Sequence, residues 1–157
     1  MNLIATTPPR LSLAVGDAMT RDPIVLRDDD AVAVAAKVLD EAHISGAPVV
    51  DARGVLVGVL SRTDLLHARA TERLWERWPG LRVRHLMHWP AITVLATLSL
   101  DEAATLMERE RVHRLVVVEP GRDRPVGILS TTDLVHAMVT RDGERHGTMT
   151  QGMAGLR

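Results

Sequence analysis

The chain carries one stretch of sequence twice, and this duplication limits the fold more than any other feature. Residues 57–68 read VGVLSRTDLLHA and residues 126–137 read VGILSTTDLVHA, so nine of the twelve positions are identical. The match extends toward the amino terminus, because residues 15–26 align with residues 83–94 and place Met19 on Met87. We infer two copies of one unit that buries little surface alone, and we expect the copies to pack as a pseudo-twofold pair.

Both copies show the same order of sequence patterns. A short β-rich run precedes an amphipathic helix, which follows three acids in the first copy and Ser99, at capping-box spacing from Glu102, in the second. Two apolar runs joined by a turn then predict a β-hairpin, and a final helix begins at Ser61 or Ser130. The predicted fold is α/β (α+β), with two β-α-β-β-α repeats. The leading strands and helices are residues 24–26 and 31–42 in one copy, and 92–95 and 100–110 in the other.

The parts outside the two repeats have different compositions. A helical linker between the repeats stops at the Pro-Gly pair of residues 79–80 and carries Leu74, Trp75 and Trp78 on one side. This apolar side suits either a lid over the first core or a dimer contact. The predicted division is an amino-terminal segment at 1–14, repeats at 15–67 and 83–137, the linker at 68–82, and a flexible tail at 138–157.

Composition excludes several function classes. The formal net charge is −1 and no basic run occurs, which argues against a nucleic-acid partner. We find no apolar run long enough to span a membrane and no leader-like amino terminus, so we expect a cytoplasmic protein without a membrane partner. The absence of Cys removes disulfides, thiolate nucleophiles and Cys-based zinc sites.

The repeated motif supports two interpretations. Ser-x-x-Asp at the start of a helix, as in Ser61 to Asp64 and Ser130 to Asp133, forms a capping box that needs no ligand. The same residues, in the runs GVLSRTD and GILSTTD, resemble the motif that closes each repeat in a tandem pair of CBS domains, or Bateman module. The resemblance covers residues 15–137 and is carried by two motifs in register. It implies a stand-alone regulatory module that binds an adenosine ligand in clefts between its repeats.

The resemblance also implies roles for individual residues. Asp64 and Asp133 are expected to accept hydrogen bonds from ribose hydroxyls, and Ile24 and Ile92 to contact adenine. The second repeat has a His-Arg pair before its second strand, similar to the pair that meets phosphate in energy-sensing CBS proteins; an ordinary ion pair of the arginine with Glu108 or Glu110 is the alternative. We expect the better site near His113, Arg114, Ser130 and Asp133. The expected phosphate contacts are His113, Arg114, Ser130 and Ser61, with Arg21 and Arg84 as secondary candidates.

The expected ligand is AMP, ADP, ATP or S-adenosylmethionine, acting as a regulator, with no obligatory cofactor and no catalytic residue. An unknown effector protein and a homodimer complete the predicted assembly. Two other function classes remain. The first is a ligand-free dimerising scaffold, and the second is metal binding through His85 and His88, which lack a supporting metalloprotease motif. His67 and His136 recur with the repeat and are interpreted as structural.

Overall fold

The computed structural model describes residues 13–71 and 78–149. Each half has the predicted order of strand, helix, β-hairpin and helix. The elements are α1 (Val15–Ala18), β1 (Thr20–Arg21), β2 (Leu26–Arg27), α2 (Val32–Glu41), β3 (Gly46–Val50), β4 (Leu56–Ser61), α3 (Arg62–Ala70), 3-10 turns at Trp78–Gly80 and Val83–His85, β5 (Thr93–Leu95), α4 (Leu100–Glu110), β6 (Arg114–Val118), β7 (Pro125–Ser130) and α5 (Thr131–Met149).

The two halves build equivalent sheets. In the first, β2 pairs in parallel with β3 and β3 pairs antiparallel with β4. In the second, β5 pairs in parallel with β6 and β6 pairs antiparallel with β7. Both hairpins contain the register shift of a β-bulge, between Val49 and Val50 and between Val117 and Val118. The predicted α/β fold with two hairpin-containing repeats is confirmed.

The segment that leads into each repeat crosses to the opposite repeat. We call residues 15–21 the first crossing segment and residues 83–89 the second crossing segment. Strand β1 of the first pairs antiparallel with β7, and His88 of the second forms a β-bridge with Val59 of β4. This reciprocal exchange makes the two halves a pseudo-twofold pair.

Backbone hydrogen bonds anchor the two crossing segments in the same way. The amide of Val15 donates to the carbonyl of Leu98 at 2.7 Å, and the equivalent amide of Val83 donates to the carbonyl of Asp30 at 2.9 Å. The acids before α2 therefore hold the second crossing segment, whereas the sequence suggested that they start the helix. Helix α2 begins without a side-chain cap, while the predicted Ser99 to Glu102 capping box of α4 is confirmed.

Each hydrophobic core takes one crossing segment from the other half. Val15 is fully buried beside Leu115 and Leu129 of the second repeat, and Val83 is fully buried beside Leu26 and Leu60 of the first. Burial of Val or Leu contributes roughly 1.5–3 kcal/mol per side chain. Neither half completes its core without residues from the other, which ties the two repeats into one folding unit.

The repeated glycines allow these crossings. A β-carbon on Gly58 would lie 2.7 Å from the carbonyl oxygen of His88, and one on Gly127 would meet the thioether of Met19. The glycines thus admit the backbone of the opposite repeat's crossing segment.

Two predicted regions fall partly outside the described residues. Helix α3 ends at Ala70, and Trp78–Gly80 forms a 3-10 turn. Leu74 and Trp75 of the predicted linker lie outside the described residues, as do most of the amino-terminal segment and residues 150–157. Helix α5 continues to Met149, well past the predicted end of the repeat at residue 137.

Candidate functional site

A cleft of about 530 Å³ lies between the repeats, where the start of α3 faces the end of the second crossing segment and the start of β6. It forms there because the bridge between His88 and Val59 brings the chain leading into β5 alongside β4. We call it the Asp64 cleft. Five of the predicted site residues line it: Ser61, Asp64, Ile92, His113 and Arg114.

Asp64 is fixed by a reciprocal cap at the start of α3. Its Oδ2 accepts a hydrogen bond from the amide of Ser61 at 2.7 Å and another from the Ser61 hydroxyl at 2.6 Å. The hydroxyl in turn accepts from the amide of Asp64 at 3.3 Å. The carboxylate is only 8% exposed. Capping therefore holds Asp64 in one orientation and engages the hydroxyl proton of Ser61.

The other carboxylate oxygen of Asp64 meets a histidine. Oδ1 lies 3.0 Å from Nδ1 of His88, whose side chain is 78% exposed at the mouth of the cleft. His88 is supplied by the second crossing segment, so this contact joins the two repeats. From the sequence, His88 was expected only as a metal ligand, and its contact with Asp64 was not predicted.

Arg114 reaches across the boundary between the repeats. Its Nη2 donates to the hydroxyl of Ser45 at 3.0 Å, and the guanidinium packs on Gly46. Burial lowers the pKa of Arg114 below its usual value, and the negative charge of Asp64 partly opposes this effect. The guanidinium stays protonated at neutral pH. Within the described residues Arg114 forms no ion pair with Glu108 or Glu110, the alternative partners, and the carboxylate of Glu110 binds Arg109 at 2.8 Å.

Trp89 is a second cleft residue that the sequence analysis missed. It lines the cleft together with Ile92 and Val112, and its side chain is 75% exposed. An exposed tryptophan beside aliphatic side chains offers a flat surface on which a base can stack. Its signal in the sequence was position, because Trp89 lies three residues before Ile92, a predicted adenine contact.

The second copy of the motif forms the same cap. Oδ2 of Asp133 accepts from the amide and the hydroxyl of Ser130, both at 2.7 Å. Neither residue lines the Asp64 cleft, and Ile24 is 46% exposed elsewhere. Within residues 13–71 and 78–149, Oδ1 of Asp133 has no histidine beside it, unlike Oδ1 of Asp64. The residue of the first crossing segment that is equivalent to His88 is Thr20.

The structure therefore divides the predicted phosphate and ribose residues between the two capping motifs in a different way from the prediction. From the sequence, His113 and Arg114 were expected beside Asp133 of their own repeat. The structure groups them with Asp64 of the other repeat. The reason is the exchange of crossing segments, which brings the start of β6 to face α3.

The remaining candidates have separate partners. Arg84 forms an ion pair with Asp29 and lowers the pKa of that carboxyl, while Arg21 donates to the carbonyl of Gly16 at 2.8 Å. Nδ1 of His85 accepts from the amide of Arg82, away from the contact that His88 makes. Among the described residues, no three His, Asp or Glu side chains are arranged to hold a metal ion. His67 lines the Asp64 cleft, and His136 is exposed on α5.

Comparison with known proteins identifies the family. The CBS domain family matches twice, at residues 15–71 and 83–140, and the chain belongs to this family as a tandem pair. In the part of the chain that the structure describes, no helix has the length and apolar character needed to cross a membrane.

Relatives of known identity share this architecture. The CBS-pair protein CBSX2 from Arabidopsis thaliana, also solved in complex with AMP, is 30% identical; in the complex it has a TM-score of 0.72, covering 83% of this chain and 99% of that one. The CBS pair of MJ0100, solved with 5′-methylthioadenosine and S-adenosyl-L-methionine, is 25% identical with a TM-score of 0.74, covering 85% of this chain and 99% of that one.

A longer relative matches over part of its length. Inosine-5′-monophosphate dehydrogenase from Mycobacterium leprae is 30% identical over 131 residues, or 80% of this chain. This chain spans only 23% of that enzyme's length, so the similarity does not imply dehydrogenase activity.

Proposed function

We propose that the protein is a regulatory module that binds an adenosine-containing ligand in the Asp64 cleft. One observation carries the proposal: a capped carboxylate from one repeat faces a His-Arg pair from the other across a cleft of about 530 Å³. That volume lies within the usual range for small-molecule sites. The ligand complexes of CBSX2 and MJ0100 support the choice of ligand class.

The carboxylate of Asp64 is suited to ribose. Its Oδ2 is used by the cap, while Oδ1 has room for a hydroxyl donor once His88 moves away. Charge-assisted hydrogen bonds of this kind are stronger than neutral ones. Because the cap fixes the carboxylate before a ligand arrives, little orientational freedom is lost on binding.

The opposite wall of the cleft provides groups for phosphate and base. Arg114 can donate two parallel hydrogen bonds to phosphate oxygens, and His113 stands beside it. Ile92 and Trp89 offer apolar surface for adenine. The hydroxyl of Ser61 has its proton on Asp64, which makes it a weaker phosphate candidate than Arg114.

Ligand binding in this position can regulate through geometry. A ligand that contacts Asp64 and Arg114 together bridges the two repeats, and it favours whichever relative orientation it binds more tightly. Coupling energies in such systems are about 1–3 kcal/mol. An effector protein, or a second copy of the chain, would then respond to that orientation.

The test is calorimetric titration of the protein with AMP, ADP, ATP and S-adenosylmethionine, using the variants Asp64→Ala and Asp133→Ala. We expect Asp64→Ala to remove the tighter binding event and Asp133→Ala to retain it. The two variants are matched, because each removes the carboxylate half of an equivalent capping box and keeps the serine that caps the backbone, so both should lose a similar amount of stability. Glu102→Ala, which removes the carboxylate half of the capping box of α4, controls for stability alone.

Each other outcome has a definite meaning. Loss of the tighter event in Asp133→Ala alone would move the site to the second motif while keeping the sensor. Absence of binding heat and of thermal stabilisation with all four ligands at millimolar concentration would contradict the sensor, since a ligand at a hundred times its Kd adds about 2.7 kcal/mol.

A dimerising scaffold is the second candidate function. The observation that favours it is exposed apolar surface on the helices that close the repeats. Leu66 on α3 is 68% exposed, and its counterpart Val135 on α5 is 58% exposed. Met138 and Val139 extend this surface along α5. We propose that the surface pairs two copies of the chain, with or without a bound ligand.

A further inference from the structure

Arg114 lies beside both copies of the capping motif, beside one through its backbone and beside the other through its side chain. The backbone of Arg114 pairs with Ser130 in the register of β6 and β7, so the residue begins beside the cap of Asp133. Its side chain lines the Asp64 cleft and interacts with the charge of Asp64. A single arginine thus links the two capped carboxylates.

The residue that Arg114 packs on is its own counterpart in the first repeat. Gly46 pairs with Ser61 in the register of β3 and β4, as Arg114 pairs with Ser130. A β-carbon on Gly46 would lie 2.7 Å from Cζ of Arg114 and 2.8 Å from the carbonyl oxygen of Leu60. Glycine at this position is therefore what lets the guanidinium lie here.

The hydrogen-bond partner of Arg114 follows the same equivalence. Ser45, whose hydroxyl accepts from Nη2 at 3.0 Å, is the counterpart of His113. We define the second cleft by Ser130 and Asp133, together with the repeat equivalents of the other residues that line the Asp64 cleft. In this second cleft, Ser45 and Gly46 replace the His-Arg pair. The guanidinium of Arg114 itself lies there, against Ser45 and Gly46.

We propose that Arg114 is one phosphate-binding cation shared by the two clefts, so that a phosphorylated ligand in one disfavours a phosphorylated ligand in the other. This inference rests on the proposed function and adds which ligand chemistry the two clefts accept together. A phosphate in the Asp64 cleft draws the guanidinium away from Ser45. The second cleft then accommodates an adenosine ligand without phosphate.

Arg21 is the competing cation and must be tested. By repeat equivalence it stands at the position of Trp89, and its Nη2 donates to the carbonyl of Gly16. If Arg21 served the second cleft, each cleft would have its own cation and binding of two phosphates would not be antagonistic. The decisive experiment therefore compares Arg114 with Arg21 in a protein whose only intact motif is Asp133.

The experiment uses AMP and adenosine as probes of the Asp64→Ala protein by calorimetric titration. We expect AMP to bind about tenfold or more tightly than adenosine, since a hydrogen bond to a charged group is at stake. Adding Arg114→Gln should abolish this preference, Arg114→Lys should keep part of it, and Arg21→Gln should leave it unchanged. Thermal unfolding of each variant establishes that it is folded.

Three results would overturn the shared cation. They are survival of the AMP preference in Arg114→Gln, its loss in Arg21→Gln alone, and absence of binding to the folded Asp64→Ala protein while the wild type binds AMP. In the wild type, AMP bound in the Asp64 cleft should weaken the binding of AMP in the second cleft but not the binding of adenosine there. Failure of the wild type to bind either probe would instead contradict the proposed function.

Discussion

Two identical carboxylate caps differ in what surrounds them. Asp64 and Asp133 each accept two hydrogen bonds from the serine three residues earlier, with distances that agree within 0.1 Å. Only Asp64 has a histidine at its second oxygen, because the second crossing segment has His88 where the first has Thr20. The residues of the motif are thus alike, and their neighbours make them unequal.

His88 competes with a ribose hydroxyl for Oδ1 of Asp64. We therefore expect His88→Thr, which copies the residue at the equivalent position, to raise the affinity for adenosine in the Asp64 cleft. The gain should reach at most about tenfold, since a single hydrogen bond contributes about 0.5–1.5 kcal/mol net. Calorimetric titration of adenosine into the Asp133→Ala background measures it.

The control for this prediction is His85→Thr, which removes a histidine of the same segment that makes no contact with Asp64. A lower affinity in His88→Thr than in this control would mean that the imidazole contacts the ligand, contrary to the prediction.

Among the secondary-structure elements, the crossing segments decide how the cleft is assembled. Each consists of a short helical turn and a few extended residues, and each completes the core of the opposite repeat. Because the second crossing segment lies against β4, it delivers His88 and Trp89 to the Asp64 cleft. The approach of its backbone to β4 depends on Gly58.

A matched pair of glycine variants measures that approach. Gly58→Ala should destabilise the protein by about 1–3 kcal/mol, because its β-carbon would meet the backbone oxygen of His88 at 2.7 Å. Gly127→Ala should destabilise it less. There the nearest atom is the flexible thioether of Met19, and the backbone oxygen of Thr20 is 3.2 Å away.

Urea unfolding of both variants gives the two changes in the free energy of unfolding. Equal destabilisation, or a larger effect at Gly127, would contradict the view that backbone contact at Gly58 is the tighter constraint.

For the whole molecule, the exposed apolar surface on α3 and α5 bears on assembly. Leu66 and Val135 occupy equivalent positions in the repeats and lie on helices that close equivalent hairpins. A surface repeated by pseudo-twofold symmetry can be self-complementary, as a twofold dimer requires.

Light scattering coupled to size-exclusion chromatography tests the dimer. We expect the wild type to elute with twice the 17.2 kDa mass of the chain, and Leu66→Glu combined with Val135→Glu to elute as a monomer, because charges there would be buried unpaired. Val34→Glu is the control, since Val34 is 52% exposed on α2. A monomeric wild type, or dissociation caused equally by Val34→Glu, would refute this interface.

The local features of the fold could be predicted from the sequence. Both hairpins, helix α4 over residues 100–110 and the caps at Ser61, Ser99 and Ser130 follow from interactions between residues close in the chain. Strand β2 was displaced, starting at Leu26 rather than at residue 24. The acids before α2 were also misinterpreted, since they bind a segment more than fifty residues away.

The sequence by itself determined that the chain has two repeats, that each ends in a capped carboxylate, and that only the second has a His-Arg pair. The tertiary structure alone decided that His113 and Arg114 face Asp64, that His88 contacts it, and that Gly46 makes room for the guanidinium. The physical reason is that repeat patterns and caps arise from neighbours along the chain. The grouping of the site instead depends on reciprocal long-range pairing of the crossing segments, which no local pattern specifies.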